Sequence, residues 1–176
     1  MKVAKTIGSF LIGACLFAGC GKPVPAPSSA PLVDPEYGHL LKAQPKLPTI
    51  KVWLGDQELT AEITREQVQI ATGMMFRTNM PENEAMLFVF PNTDQRSFYM
   101  RNCVVPLSAA YIDPGGVILE IINLQPHDET GVVSKSASVQ FVLEVPQGWF
   151  QRHNVSPGAV IRTERGALLD TFSGKR

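Results

Sequence analysis

The chain has 176 residues, of which 44% are hydrophobic, and its 16 basic residues balance its 16 acidic residues to a formal net charge of zero. This length suits one domain, since typical domains have about 100–200 residues. The balanced charge argues against a nucleic-acid partner, because nucleic-acid binding calls for a basic patch.

The first residues carry the features of a secretion signal. Lys2 and Lys5 form a basic start, and an apolar run from about Ile7 to Ala18 follows. That run is shorter than the ~20 apolar residues that cross a bilayer comfortably. The pattern therefore predicts a signal peptide over residues 1–19.

The end of this segment, Leu16-Phe17-Ala18-Gly19-Cys20, resembles the lipobox of bacterial lipoproteins. The resemblance implies cleavage before Cys20 and acylation of that residue, which attaches a protein to a membrane because each buried methylene contributes about 0.8 kcal/mol. Gly21 differs from the aspartate of an inner-membrane retention signal, so we expect a protein secreted across the cytoplasmic membrane and anchored at the periplasmic face of the outer membrane. Cys15 is a second candidate for the lipidated residue. A plain secreted protein, or one held by a single N-terminal anchor helix, would also fit the pattern.

A proline-rich stretch follows, over residues 20–48, and it contains half of the chain's 14 prolines. Proline fixes φ and removes a backbone donor, so the composition favours an extended conformation. We predict a lipidated N-terminus and a tether that holds the domain away from the membrane. A disordered tail without a spacer role would have the same composition, and Leu40 and Leu41 are the residues that could dock on the domain.

Residues 49–176 alternate mostly with period two, which predicts a single, mainly β domain. Met86–Phe90 is a continuous apolar run, typical of a strand covered on both faces. The turn signal at Pro114-Gly115-Gly116 predicts a hairpin, because glycine adopts positive φ without steric cost. The predicted strands are residues 51–54, 61–64, 86–90, 97–104, 111–124 (as a hairpin), 139–145 and 159–163.

Two short helices interrupt these strands. The first covers residues 64–72, where Thr64 and Gln67 fit a capping box and Gly73 fits a glycine stop. The second covers residues 149–154. Short strands with two helical turns indicate an antiparallel sheet that is closed or folded over on itself.

The order of motifs resembles the family called domain of unknown function 192, over residues 51–162. The resemblance is carried by Thr72-Gly73-Met74-Met75-Phe76-Arg77, Met86-Leu87-Phe88-Val89-Phe90, Ser97-Phe98-Tyr99-Met100-Arg101-Asn102, Val105-Pro106-Leu107, Tyr111-Ile112-Asp113 and Val142-Leu143-Glu144-Val145 before Gly148. It implies a small antiparallel barrel-like or jelly-roll-like sandwich and no agreed activity. This chain departs from the family at Cys103, Ser108 and Ala159, where threonine, aspartate and aspartate are usual, so a mechanism built on those carboxylates is not favoured.

Polar residues within the apolar strands are the candidates for ligand binding: Arg77, Met100, Asn102, Asp113 and Glu144. Strand alternation places Phe98, Met100 and Asn102 on one face. Arg77 and Asn102 at an aromatic-walled mouth would bind an anionic or polyhydroxyl ligand, such as an envelope glycan. A purely structural role would instead pair Arg77 with Glu144 or Asp113, since a buried charge is kept only when it is paired.

Enzymatic and metal-binding functions also have candidate residues. Thioether and thiol groups suit Cu(I), and the candidate ligands are Met74, Met75, Met80, Met86, Met100 and Cys103. Cys103 with His127 or His153 would make a cysteine hydrolase, and the candidates for a carboxylate pair are Glu82, Glu84, Asp113 and Glu144. We favour a lipid-anchored binding or scaffold module and predict no catalytic residues, metal or cofactor, because methionine also fills irregular cores and free cysteine is usually buried.

Overall fold

The computed structural model describes residues 32–173, so the predicted signal peptide, Cys20 and the first part of the tether lie outside the described residues. Ten strands and three short helices make up the described chain. In chain order these are β1 (Thr49–Leu54), β2 (Gln57–Thr64), α1 (Gln67–Thr72), β3 (Glu84–Asp94), β4 (Ser97–Phe98), β5 (Leu107–Ile112), β6 (Ile118–Leu124), β7 (Val132–Val133), β8 (Val139–Pro146), α2 (Trp149–Arg152), β9 (Ile161–Thr163), β10 (Gly166–Ala167) and α3 (Leu168–Phe172).

Eight strands form one sheet in the order β10-β9-β1-β2-β3-β8-β5-β6, and β4 pairs with β7 in a small second sheet. The prediction of a mainly β, sandwich-like or barrel-like fold is confirmed. Two details differ from the prediction. The sheet is mixed, because β2 and β3 run parallel, and the helix α3 adds to the two that the sequence predicted.

The parallel pair has a physical cause in the chain between its strands. Two parallel strands need a crossover connection of a dozen or more residues, usually with a helix. Residues 65–83 provide that crossover, and they contain α1 and the methionine-rich segment that follows it. The crossover therefore carries Met74 and Met75 across one face of the sheet, where both are buried.

The start of α1 also differs from the prediction. Thr64 pairs with Phe88 as the last residue of β2, so it is not available as a cap. The capping box is formed instead by Glu66 and Gln69, at the start of the crossover. The predicted stop is at the right place, because α1 ends at Thr72 and Gly73 follows.

Side chains on the two faces of β3 and β8 enter two different hydrophobic clusters, as the apolar run at Met86–Phe90 predicted. Leu87 and Val89 pack with Leu143 on one side. On the other side, Met86 and Phe88 belong to a second cluster, called here the methionine cluster: Met74, Met75, Met86, Phe88, Met100, Cys103, Leu107, Ala109, Tyr111, Leu124, Val139 and Val142. Because side chains alternate along a strand, Glu144 shares the Val142 side of β8 and faces this cluster.

The sheet curls so that its two edges approach each other near β6 and β9. Val117, just before β6, forms an isolated bridge with Val160, just before β9. The N–H of Ile161 donates to the carbonyl of Gly116 over 2.8 Å. Over the described residues this contact does not extend into a continuous ladder, so the sheet is barrel-like without being a closed barrel.

The last part of the predicted tether packs on the domain. The Leu40 N–H donates to Thr72 Oγ1 over 2.9 Å, and the Gln44 side-chain amide donates to the Gly73 carbonyl over 2.8 Å. Leu40 is buried, whereas Leu41 is exposed. Residues 32–48 thus form an arm against the C-terminal end of α1. Among residues 32–173, no helix has the length and apolar character needed to span a membrane.

Candidate functional site

A pocket of about 300 Å³ opens between the crossover, the loop around β4 and the face of β8 that carries Glu144. This volume is at the lower end of the range of roughly 300–1,000 Å³ that ligand pockets occupy. The pocket is lined by Ile70, Ala71, Thr72, Gly73, Met74, Met75, Phe88, Phe90, Gln95, Arg96, Ser97, Phe98, Tyr99, Cys103 and Glu144. Its lining combines apolar and aromatic side chains with a nearly equal share of polar surface, which includes Glu144 at the floor and Arg96 at the rim.

Gly73 shapes the crossover wall of the pocket. Its φ of 45° and ψ of −127° turn the chain out of α1, and a Cβ at this position would lie 3.3 Å from the Phe88 ring. A larger residue would therefore meet both backbone strain and a tight contact. Glycine lets Met74 and Met75 lie directly over the sheet.

Glu144 lies at the floor of the pocket with only 4% of its surface exposed. Its neighbours across the sheet are Met86 on β3 and Ala109 on β5, and neither can hydrogen bond through its side chain. Its Oε2 has no hydrogen-bond partner among the described residues. Burial raises the pKa of this carboxyl to about 8, so it holds its proton over most of the physiological range.

Cys103 is the second ionisable group at the floor, and 5% of its surface is exposed. Burial first, and the neighbouring Glu144 second, raise the pKa of its thiol to about 12. The thiol therefore stays protonated near neutral pH, and a protonated thiol is a poor nucleophile. The His127 N–H donates to the Cys103 carbonyl over 3.2 Å, but His127 does not line the pocket.

Aromatic rings form the walls of the pocket. Phe88 meets Phe98 edge to face with 4.9 Å between ring centroids, and Phe98 meets Tyr111 at 6.0 Å. At the rim, the Arg96 guanidinium lies 4.0 Å from the centroid of Phe90 and donates to Asn92. The rim cation is thus held by stacking and hydrogen bonding, away from the buried floor.

The five predicted ligand-binding residues are dispersed, and only Glu144 lines this pocket. Met100 is buried in the methionine cluster. Asn102 occupies a turn at φ 55°, and its carbonyl accepts the Phe76 N–H over 2.8 Å. Asp113 closes the turn before β6, where its Oδ1 accepts the Val117 N–H over 2.9 Å.

Arg77 has a different partner from the one that the sequence suggested. Its guanidinium donates to both oxygens of Glu62, over 2.6 and 2.8 Å, and neither Glu144 nor Asp113 pairs with it. Burial opposes ionisation of Glu62, but hydrogen bonds from Arg77 and from the Leu47 N–H outweigh it and lower the carboxyl pKa. The sequence did not identify Glu62 because no motif surrounds it in β2.

The strand predicted at residues 97–104 is also shorter than expected, since β4 ends at Phe98 and a turn follows. Strand alternation therefore does not hold for Met100 and Asn102. Because of this error, the sequence did not identify Phe98 and Tyr99 as wall residues of the pocket, or Arg96 as a rim residue. The signal available in the sequence was the dense aromatic and basic content of residues 96–99.

The residues proposed for Cu(I) meet in one place, because Met74, Met75, Met86, Met100 and Cys103 all belong to the methionine cluster and Met80 packs against it. In residues 32–173, no three side chains of His, Cys, Asp or Glu gather closely enough to hold a metal ion. Of the candidate hydrolase residues, Glu82 lies at the surface, paired with Arg152 and His153.

Comparison with known proteins gives two related solved structures. No curated protein matches the chain. A solved structure from Sinorhizobium meliloti 1021, described as a "putative transcription regulator", is 30% identical, with a TM-score of 0.65, covering 69% of this chain and 98% of its own. A protein of unknown function from Novosphingobium aromaticivorans DSM 12444 is 28% identical, with a TM-score of 0.63, covering 81% of this chain and 99% of its own.

Residues 50–163 match the family DUF192, described as Uncharacterized ACR. This range contains the parallel β2–β3 pair, the methionine-rich crossover and the strand that carries Glu144. The family resemblance expected from the motifs is confirmed, and the chain belongs to the DUF192 family.

Proposed function

We propose that the domain is a binding module that takes a small, largely apolar ligand into the pocket beside Glu144. The observation that carries the proposal is the Glu144 carboxyl, which lines a pocket with aromatic walls and whose Oε2 has no hydrogen-bond partner among the described residues. Leaving a buried polar group without a hydrogen bond costs about 1–3 kcal/mol. A ligand that supplies the missing partner recovers part of that cost, and its apolar body gains by contact with the walls.

The chemistry of the lining favours this ligand over an envelope glycan. A glycan needs hydrogen-bonding groups on several sides, whereas the Met74, Met75 and Phe88 side chains offer none and the polar side chains of residues 95–99 all come from one segment. Hydrolysis is disfavoured because the Cys103 thiol is protonated and Glu144 is the one carboxyl that lines the pocket within the described chain. The net charge of zero does not favour a role in nucleic-acid binding, despite the description of the Sinorhizobium relative.

Ligand binding is tested on the full chain in phospholipid nanodiscs, where no free detergent can enter an apolar pocket. A fragment collection that includes amphiphiles and glycan pieces would be screened by ligand-observed NMR. Ala71→Phe places a ring in the pocket and should abolish binding, and Ala137→Phe, at an exposed site, should leave it intact. The proposal fails if no fragment binds, or if the hits bind the Ala71→Phe variant as well as the wild type.

We further propose that Cys20 carries the lipid anchor and that the domain works in the cell envelope, at the periplasmic face of the outer membrane. The support is the basic start at Lys2 and Lys5, the apolar run and the small residues before Cys20. Cys20→Ser should abolish incorporation of labelled palmitate and release the protein from the membrane fraction. Cys15→Ser is the matched control, and a loss of label in that variant instead would move the anchor to Cys15.

A further inference from the structure

The floor of the pocket has a carboxyl without a counter-charge. Among the residues that line it in the described chain, Arg96 is the one cation, and it stacks on Phe90 at the rim. Glu144 is buried and lines the pocket, and its Oε2 has neither a cation nor a hydrogen-bond donor beside it among the described residues. A buried carboxylate persists only when it is paired, so an ionised Glu144 would require its cation from elsewhere.

The walls above Glu144 suit a cation as well as an apolar body. The rings of Phe88, Phe98 and Tyr99 line the same pocket as the carboxyl. Aromatic rings attract organic cations through their quadrupoles, most strongly where water is excluded. A carboxylate below aromatic walls is thus a suitable receptor for a substituted ammonium group, and a poor one for an anion.

We infer that the pocket is selective for an organic amine or a related organic cation with an apolar body, whose positive group lies against Glu144. The inference rests on the proposed function, since it names the ligand class of the same site. The positive group replaces the absent counter-charge, and the apolar body contacts the Met74, Met75 and Phe98 walls. A neutral ligand of equal shape fills the same space but leaves the carboxyl uncompensated.

The inference predicts the direction of a pH dependence. In the free protein Glu144 is protonated below about pH 8, whereas its complex with a cation needs the carboxylate, so binding releases a proton and affinity rises with pH. A neutral hydrogen-bond acceptor needs the protonated carboxyl, and its affinity would fall with pH instead.

Among the described residues, no other ionisable side chain that lines the pocket titrates in this range, and burial raises the pKa of the Tyr99 phenol above its usual value. Burial raises the pKa of the Cys103 thiol to about 12 and raises the pKa of the Tyr111 phenol above its usual value. Met86 on β3, Ala109 on β5, and Met74 and Met75 on the crossover have no ionisable group, and Arg96 at the rim stays charged. The pH dependence therefore reports on Glu144.

The test compares three probes that share a phenylbutyl body, on the full chain in nanodiscs: phenylbutylamine, phenylbutanol and phenylbutyltrimethylammonium. The charge of the last probe does not depend on pH. Binding would be measured by calorimetry from about pH 6 to about pH 9, the range in which Glu144 ionises. We expect the two cations to bind about ten- to hundredfold more tightly than the alcohol at the upper pH, the range that a charge-assisted contact supplies. We also expect the affinity of the fixed cation to rise with pH.

Glu144→Gln should remove both the preference for cations and the pH dependence while the alcohol still binds. Glu120→Gln is the matched control, because this carboxyl lies on β6 outside the pocket and beside Lys135. Equal affinities for alcohol and cations, or affinities that do not respond to pH or to Glu144→Gln, would overturn the inference while the binding function stands. If none of the probes and no fragment of the wider collection binds, both fail.

Discussion

At the scale of single residues, the described part of the chain contains two buried carboxyl groups, and their surroundings differ in whether they supply hydrogen-bond donors and a counter-charge. Glu62 is ionised, because Arg77 and the Leu47 N–H supply three hydrogen bonds to it. Glu144 lies on the face of β8 that packs against the methionine cluster. It has no such partners among the described residues, and it stays protonated. The first arrangement stabilises the charged form of the carboxyl, and the second stabilises the protonated form.

The Glu144 carboxyl should make stability depend on pH in a defined direction. Its pKa is 4.5 in a model peptide and about 8 in the fold, so the folded state binds the proton more tightly. The resulting stabilisation is fully present below the unfolded pKa and is lost as the pH rises through about 8, by at most about 1.4 kcal/mol per pH unit. Urea unfolding should therefore show Glu144→Gln gaining stability relative to the wild type between about pH 5 and pH 8. An unchanged difference over that range would contradict the assignment.

Arg77→Met should destabilise the domain strongly, because it leaves the Glu62 carboxylate, 6% exposed, without its main partner. Breaking a buried pair by removing one member costs about 3–5 kcal/mol. Lys46→Met is the control, because Lys46 contacts the same carboxylate but is 67% exposed, and exposed pairs contribute about 0–1 kcal/mol. Denaturant titration measures the free energy of unfolding of both variants. Similar losses of stability would show that Arg77 is not the main partner of the Glu62 carboxylate.

At the scale of elements, the crossover and the arm decide where the pocket is. α1 has only six residues, and donors outside the helix help the Gly73 N–H to satisfy the carbonyls at its C-terminal end. The arm provides that help, because the Gln44 amide donates to the carbonyls of Gln69 and Gly73. Thr72 and Gly73 also line the pocket. The arm therefore holds the pocket wall in position.

Gln44→Leu should loosen this wall without unfolding the domain. The loss of buried hydrogen bonds to the end of α1 should cost about 1–3 kcal/mol, and amides of residues 70–75 should exchange faster with solvent. Leu41→Ala, in the same arm but exposed, serves as the control. Hydrogen exchange followed by mass spectrometry gives the measurement, and equal protection in the two variants would show that the arm does not support α1.

At the scale of the whole molecule, the curled sheet is held at the point where its ends meet. Gly116 lies there with φ 86°, and a Cβ would be 2.7 Å from the Ile161 carbonyl oxygen. The backbones of residues 116–118 and 158–161 can approach closely because this position has no side chain. The contact closes one end of the sandwich around the Leu87 side of the sheet.

Gly116→Ala should therefore cost more stability than Gly158→Ala. Both positions have positive φ, which strains any other residue by about 1–3 kcal/mol, but a Cβ at Gly158 would have no neighbour within 4 Å. The additional loss of stability at Gly116 comes from the contact between the new Cβ and the Ile161 carbonyl oxygen, which would push the two edges of the sheet apart. Urea unfolding of both variants tests this, and equal losses would mean that the sheet ends are free to move apart.

The sequence predicted the parts of the fold that depend on local patterns. Alternation identified most strands, the run at Met86–Phe90 indicated a strand covered on both faces, and Gly73 marked the end of α1. It did not identify the parallel pairing of β2 with β3, because pairing depends on strands that are distant along the chain. Strand alternation also failed after Phe98, where a turn replaces the strand. The pocket was missed for that reason, apart from Glu144.

The sequence by itself determined the family, the mainly β character and the presence of a carboxyl in an apolar strand, because these depend on residue order and periodicity. Only the tertiary structure decided that Glu62 pairs with Arg77 and that Glu144 lies in a pocket without such a partner among the described residues. Both carboxyls follow apolar residues in short strands, so their sequences do not separate them. Their pKa values and their roles depend on groups that folding brings near, and those groups come from other parts of the chain.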